Sequence, residues 1–177
     1  MITIRRMLVA IAGLLAGACV LGVAAAVWLA PEPARDLAAA QHRWQARPFS
    51  AYRMIVETQA FGACRFEVEI HDEQVTAILE RSCLSPAPTV TDLFHTIQQH
   101  ADENRCGPNG CACDGPIGAE VVYDAQLGYP TEVLVRPQAQ QRWRYPGYWK
   151  RAVFGGGCTL IGWIGQRITV LSLTPLP

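Results

Sequence analysis

Cys64-Arg65-Phe66-Glu67-Val68-Glu69-Ile70, the short His71-Asp72-Glu73-Gln74 and the run from Val75 to Glu80 decide the fold. In the first run apolar and charged residues alternate with period two, which marks a strand with one wet face. Phe66, Val68 and Ile70 fall on one side, and Arg65, Glu67, Glu69 and His71 on the other. A second run of strand formers comes at once, so the two make a hairpin. Cys64 and Cys83 are symmetric about the Glu73–Gln74 bond, which places them opposite each other at the open end. Opposed strand residues lie about 4.5–5.5 Å apart at Cα, within reach of a disulfide, so a Cys64–Cys83 bridge is predicted. Glu67 and Glu69 read as solubilising residues on the wet face.

Upstream of this hairpin, Tyr52, Met54 and Val56 alternate with Arg53, Ile55 and Glu57 as a first strand. Ala34 to Arg47 reads as a short helix that Pro48 stops. Leu37, Ala38, His42 and Trp44 are available for packing there, with Arg35, Arg43 and Arg47 towards solvent. Downstream, Pro86-Ala87-Pro88 is a linker and Thr89 with Asp92 resembles a capping box. Val90, Leu93, Phe94, Ile97 and Ala101 form one apolar stripe, so a helix is predicted over 89–103. His95, Gln99 and His100 lie off that stripe or at its edge. Glu120–Asp124, Thr131–Arg136 and Arg167–Leu173 read as further strands. The expected fold is a two-layer α+β domain: an antiparallel sheet of five or six strands, one main helix on one face and the N-terminal helix alongside.

The chain has 177 residues, half apolar and 17% charged, with 15 bases against 15 acids. This composition excludes collagen, coiled-coil and disordered classes and gives no overall charge for nucleic acid. The charge is unevenly placed: residues 57–132 hold thirteen acids and three arginines, whereas after Glu132 there are six bases and no acid.

Residues 7–30 are 24 positions without a charge, preceded by Arg5-Arg6 and ended by Pro31-Glu32-Pro33. At about 1.5 Å per residue such a helix spans a hydrocarbon core of about 30 Å. The arginines favour an inside N-terminus, with the rest of the chain outside. The run reads as a signal anchor, making the chain a single-pass cell-membrane protein. The alternatives are a cleaved signal peptide, with Ala24-Ala25-Ala26 as the small-residue site, and a lipoprotein modified at Cys19. The organisation is then 1–30 anchor or signal peptide, 31–47 juxtamembrane helix, and 48–177 a disulfide-stabilised extracytoplasmic domain with an insertion at 138–165.

Six cysteines remain outside the leader: Cys64, Cys83, Cys106, Cys111, Cys113 and Cys158. An even number in an exported domain reads as three disulfides. Cys111 and Cys113 are too close to pair comfortably; one closes the loop with Cys106 and the other reaches Cys158. The competing reading is a metal site of Cys106, Cys111, Cys113 and His100, although the spacing matches no common zinc pattern. It supports an alternative function, a hydrolase or metal-dependent enzyme using Cys113, His100 and Asp124.

Arg142-Trp143-Arg144-Tyr145-Pro146-Gly147-Tyr148-Trp149-Lys150-Arg151 mixes five aromatics or prolines with four bases. Trp143, Arg144, Tyr148 and Trp149 are candidate binding residues for an anionic glycan, a lipid headgroup or an envelope protein. The competing reading has the tryptophans packed on the domain and the bases balancing the acidic strands. No G-x-S-x-G, H-E-x-x-H or phosphate-loop pattern occurs, so no catalytic residue, metal or cofactor is assigned. The expected function is a membrane-tethered, non-enzymatic binding module, or a structural stabiliser of a neighbouring membrane protein.

Tyr52 to Val56, Cys64 through Val75, Pro88 to Phe94, and Val121-Val122-Tyr123-Asp124 with Leu127-Gly128-Tyr129-Pro130 resemble a bacterial family known only as a domain of unknown function, family 6174. The terminal Ile168-Thr169-Val170 strand fits it too. The V-x-Y-D…G-Y-P pattern is the most specific part. The likeness covers residues 44–137 and 167–175 and implies a secreted or membrane-attached domain. It offers no catalytic residue. The Cys106–Cys113 loop and the aromatic-basic insertion depart from it, and Asp72-Glu73 stands where the family often has a glycine. Tyr123 and Asp124 are either a packing residue and a turn cap, or lining residues of a ligand groove.

Overall fold

The computed structural model describes residues 32–60, 62–101, 105–159 and 165–177. The apolar run 7–30, with Cys19, lies outside them. No helix among the described residues is long and apolar enough to cross a membrane. Two compact units divide the chain, Met1–Ala39 and Ala40–Pro177, and the sheet with its core belongs to the second.

The elements in chain order are α1 (Glu32–Gln45), β1 (Ala51–Gln59), β2 (Ala63–His71), β3 (Gln74–Arg81), α2 (Val90–Ala101), a short α3 (Cys111–Asp114), β4 (Ile117–Tyr123), β5 (Pro130–Pro137), a 3₁₀ helix (Ala139–Arg144), α4 (Pro146–Phe154) and β6 (Gln166–Pro175). The fold is α+β. One six-stranded sheet runs in the order β3-β2-β1-β6-β5-β4, every neighbour antiparallel. The chain leaves the sheet at one edge, β3, and rejoins it at the other, β4. Helix α2 covers that crossing and packs on β4 and β5. The last strand, β6, slots into the middle.

Period-two alternation fills one face of the sheet. Tyr52, Met54 and Val56 stand opposite Ile70, Val68 and Phe66, and all six are buried. Val133, Val135, Ile168 and Val170 continue the layer, and Val90, Leu93, Phe94 and Ile97 of α2 cover it. Each such side chain contributes about 1.5–3 kcal/mol through lost contact with water. On the other face the carboxylates are paired: Arg53 with Glu69 at 2.7 Å, Arg65 with Glu57 at 2.9 Å, Arg167 with Glu132 at 3.0 Å and Arg136 with Glu120 at 2.7 Å. The acidic strands thus find their counter-charges within the sheet, not in the 142–151 segment.

The Cys64–Cys83 bridge is present, with 5.5 Å between Cα atoms. The hairpin turn, however, is centred one residue earlier than the symmetry argument assumed. His71 pairs with Gln74, leaving Asp72 and Glu73 as a two-residue turn with φ of 48° and 58°. Both signs are positive, as a type I′ turn requires. Two register shifts, at Glu67/Val68 and Glu69/Ile70, then move the pairing until Phe66 faces Arg81. Those bulges bring Cys64 and Cys83 together.

Two details of the expected helices change. Helix α1 buries Ala40 and Trp44, whereas His42 is exposed. Arg47 is not on a solvated side: its guanidinium lies 4.1 Å over the Trp44 ring and pairs with Glu73.

Candidate functional site

The segment 139–159 rests on the cysteine loop. Cys106 pairs with Cys111 and Cys113 with Cys158, so of the two open pairings it is Cys111 that closes the loop. The second bridge joins α3 to the chain just beyond α4. Arg142 donates to the Cys113 carbonyl at 3.2 Å, and a Cβ on Gly147 would stand 3.0 Å from that of Ala112. The 3₁₀ helix and α4 are therefore seated on α3. All three sulfurs of the expected metal site are in disulfides, so none is a thiolate for a metal or a nucleophile. Burial, and then the charge of Arg105, lower the pKa of His100. Among the described residues no cluster of three or more metal-ligating side chains forms.

On the outside of this scaffold lies an apolar surface. Trp143 is 58% exposed, Trp149 55%, Val153 72% and Phe154 85%. The tryptophans do not pack into the domain, contrary to the packing reading of the sequence. With Arg144 and Lys150 these four line one open cleft of about 470 Å³. Pro146 starts α4, where its missing N–H leaves no helical bond unmade. The Trp149 indole donates to the Trp143 carbonyl at 2.8 Å, and Tyr148 meets the Trp149 ring edge-on at 5.3 Å. The structure thus joins Trp143, Arg144 and Trp149, with Tyr148 beside them. Sequence reasoning missed Val153 and Phe154; their spacing of four from Trp149 and Lys150 was the available signal.

Tyr123 and Asp124 stand elsewhere. They lie at the end of β4 away from the cysteine loop, a strand length of about 20 Å. Tyr123 stacks on Phe94 with ring centroids 6.4 Å apart. The Asp124 carboxylate accepts from the Gln126 and Leu127 N–H groups at 3.0 and 2.6 Å, an Asx-type cap. Gly128 has φ of 78°, and any Cβ there would collide with the Ala40 carbonyl. Tyr129 packs edge-on against Trp44 at 6.1 Å. The Y-D…G-Y-P pattern therefore builds the seat for the end of α1.

A model of a family of unknown function, DUF6174, matches residues 36–142, more than half of the chain. The chain belongs to this family. No curated protein and no solved structure matches it. The DUF6174 region ends at Arg142, so Trp143, α4 and β6 lie beyond the matched residues.

Within the DUF6174 region the structure adds a polar hub that the sequence did not reveal. The Glu73 carboxylate accepts from Arg47 at 2.8 Å, from the Tyr52 hydroxyl at 3.2 Å, and from the Thr91 N–H and hydroxyl at 3.1 and 2.7 Å. The Val90 N–H donates to the Tyr52 hydroxyl at 3.3 Å, and Thr89 with Asp92 completes a reciprocal capping box. The first N–H groups of α2 are thereby satisfied by the hairpin tip and its own cap. The hub ties turn, helix and strand together; it floors a groove of about 310 Å³ but is already saturated with partners.

Proposed function

We propose that this member of DUF6174 is a membrane-tethered extracytoplasmic binding module whose contact face is the outer surface of residues 143–154. One observation carries the reading: Trp143, Trp149, Val153 and Phe154 form a contiguous exposed apolar surface edged by Arg144 and Lys150. Scattered exposed hydrophobes are ordinary, whereas four together with flanking cations mark a contact site. The three disulfides suit an oxidising compartment, and the uncharged run 7–30 supplies the tether.

A non-enzymatic role is supported by the state of the candidate catalytic groups. Cys113 is bonded to Cys158, and Asp124 caps its own turn. The test replaces Trp143, Tyr148 and Trp149 by alanine in the full chain, which the run 7–30 holds in the envelope with or without this face, and measures crosslinking of the Lys150 amine to envelope components. Loss of those crosslinks with the three disulfides retained is the expected result. Full crosslinking by a folded triple variant removes this face from consideration.

A further inference from the structure

Trp149 meets solvent with its one polar atom already bonded. Its N–H donates to the Trp143 carbonyl at 2.8 Å while 55% of the residue stays exposed. Moving that ring into an oily medium leaves no donor unmatched. Val153 and Phe154 carry no side-chain polar atom at all and are the most exposed part of the surface, at 72% and 85%. A surface so prepared suits hydrocarbon better than a glycan. Among the residues lining the cleft there is no carboxylate or side-chain amide to bond sugar hydroxyls.

Charge selects the kind of apolar partner. From residue 133 onward the chain has no acid. Arg142 donates to the carbonyls of Ala139 and Cys113, and Arg151 to that of Gly157, so among the described residues their charges meet backbone oxygens and no carboxylate. Lys150 is exposed beside Trp149. A second copy offers a poor complement, because Glu57, Glu69, Glu120 and Glu132 on its wet face are already paired with arginines. Aromatic and aliphatic side chains on a short helix, flanked by bases, match the headgroup–acyl boundary of an anionic bilayer.

We propose that α4 is an interfacial membrane-contact helix. Trp143, Trp149, Val153 and Phe154 enter the boundary layer of an anionic phospholipid membrane, and Arg144 and Lys150 meet its phosphates. This rests on the contact face proposed above and names what that face touches. The Cys113–Cys158 bridge holds the surface in place beforehand, so little ordering accompanies contact.

The test reconstitutes the full chain into vesicles of equal phosphatidylglycerol and phosphatidylcholine, a fraction of the lipid carrying a photoreactive group near the headgroup. Crosslinked peptides are mapped by mass spectrometry. Crosslinks are expected in 143–154 as well as in 7–30. The yield at 143–154 should drop about fivefold in pure phosphatidylcholine. It should drop about tenfold in a Val153→Ser, Phe154→Ser double variant, with the yield at 7–30 unchanged. Crosslinks confined to 7–30, or absent altogether, overturn the proposal, as does an undiminished yield in the double variant. If lipid crosslinks fail while the alanine triple variant still loses its Lys150 crosslinks to envelope components, the contact face stands and its ligand is not lipid. If both experiments are negative, face and ligand fall together.

Discussion

The β2–β3 hairpin and the 139–159 insertion are each closed by a disulfide, yet they use their aromatic residues in opposite ways. Phe66 of β2 and Tyr52 of the adjoining β1 are 1% and 0% exposed, and the Tyr52 hydroxyl sits in the Glu73 hub. Phe154 is 85% exposed and Trp149 55%, so both rings face outward from the described residues. The hairpin spends its side chains on one another; the insertion is braced from beneath, by Cys158 and Arg142, and presents its side chains outward. One region holds the fold and the other is displayed by it. That division can be broken at either end.

The largest effect belongs to the hairpin. Phe66→Ala removes a fully buried ring and should cost about 3–5 kcal/mol, read as a drop in the urea midpoint. A cost near zero would mean the sheet face is not the core. Removing the Cys64–Cys83 bridge with a double serine variant should cost about 3 kcal/mol, from the freed chain between residues 19 apart. The matching Cys113→Ser, Cys158→Ser variant should act locally instead. Amide exchange should quicken across 139–159 and stay unchanged in β1 and β2. Uniform acceleration would show that the insertion is part of the core.

Glu73→Gln comes next, with an expected loss of about 1–2 kcal/mol, because a charged acceptor for Arg47 and Thr91 is weakened. The same hub sets a pH limit. Burial raises the Tyr52 pKa above its ordinary value of 10; the Val90 N–H opposes this and the Glu73 carboxylate adds to it. The folded state therefore holds this proton more tightly than the unfolded chain. The associated stability is complete below pH 10 and is lost as pH rises above it. The slope of urea midpoint against pH in that range should flatten in Tyr52→Phe. An unchanged slope would assign alkaline unfolding to other groups.

Legibility in the sequence divides along the same line. Strands with strict alternation, the capping box at Thr89 and the apolar stripe of α2 were readable because their signals lie within a few residues. The Y-D…G-Y-P turn was readable in physical terms too: Asp124 caps it and Tyr123 packs, stacked on Phe94. The Cys64–Cys83 pairing was right although its register argument was not, since two bulges compensate for the displaced turn. Glu73 was hidden because its partners Arg47, Tyr52 and Thr91 lie 26, 21 and 18 residues away. The strand order was hidden for a similar reason: nothing local says that β6 enters between β1 and β5. Helix α4 was obscured by Pro146-Gly147 and by the lack of a buried stripe, there being no buried residue in it. Its apolar face gives no periodic core signal because it does not face the core.

The most direct measurement pairs stability with association in one variant, Trp149→Ala with Phe154→Ala in the full chain. Substituting an exposed displayed surface should leave the urea unfolding free energy within about 0.5 kcal/mol of the parent, while crosslinking of Lys150 to envelope components is lost. A fall of about 3 kcal/mol or more with that crosslinking intact would contradict the account and make these residues part of the packing.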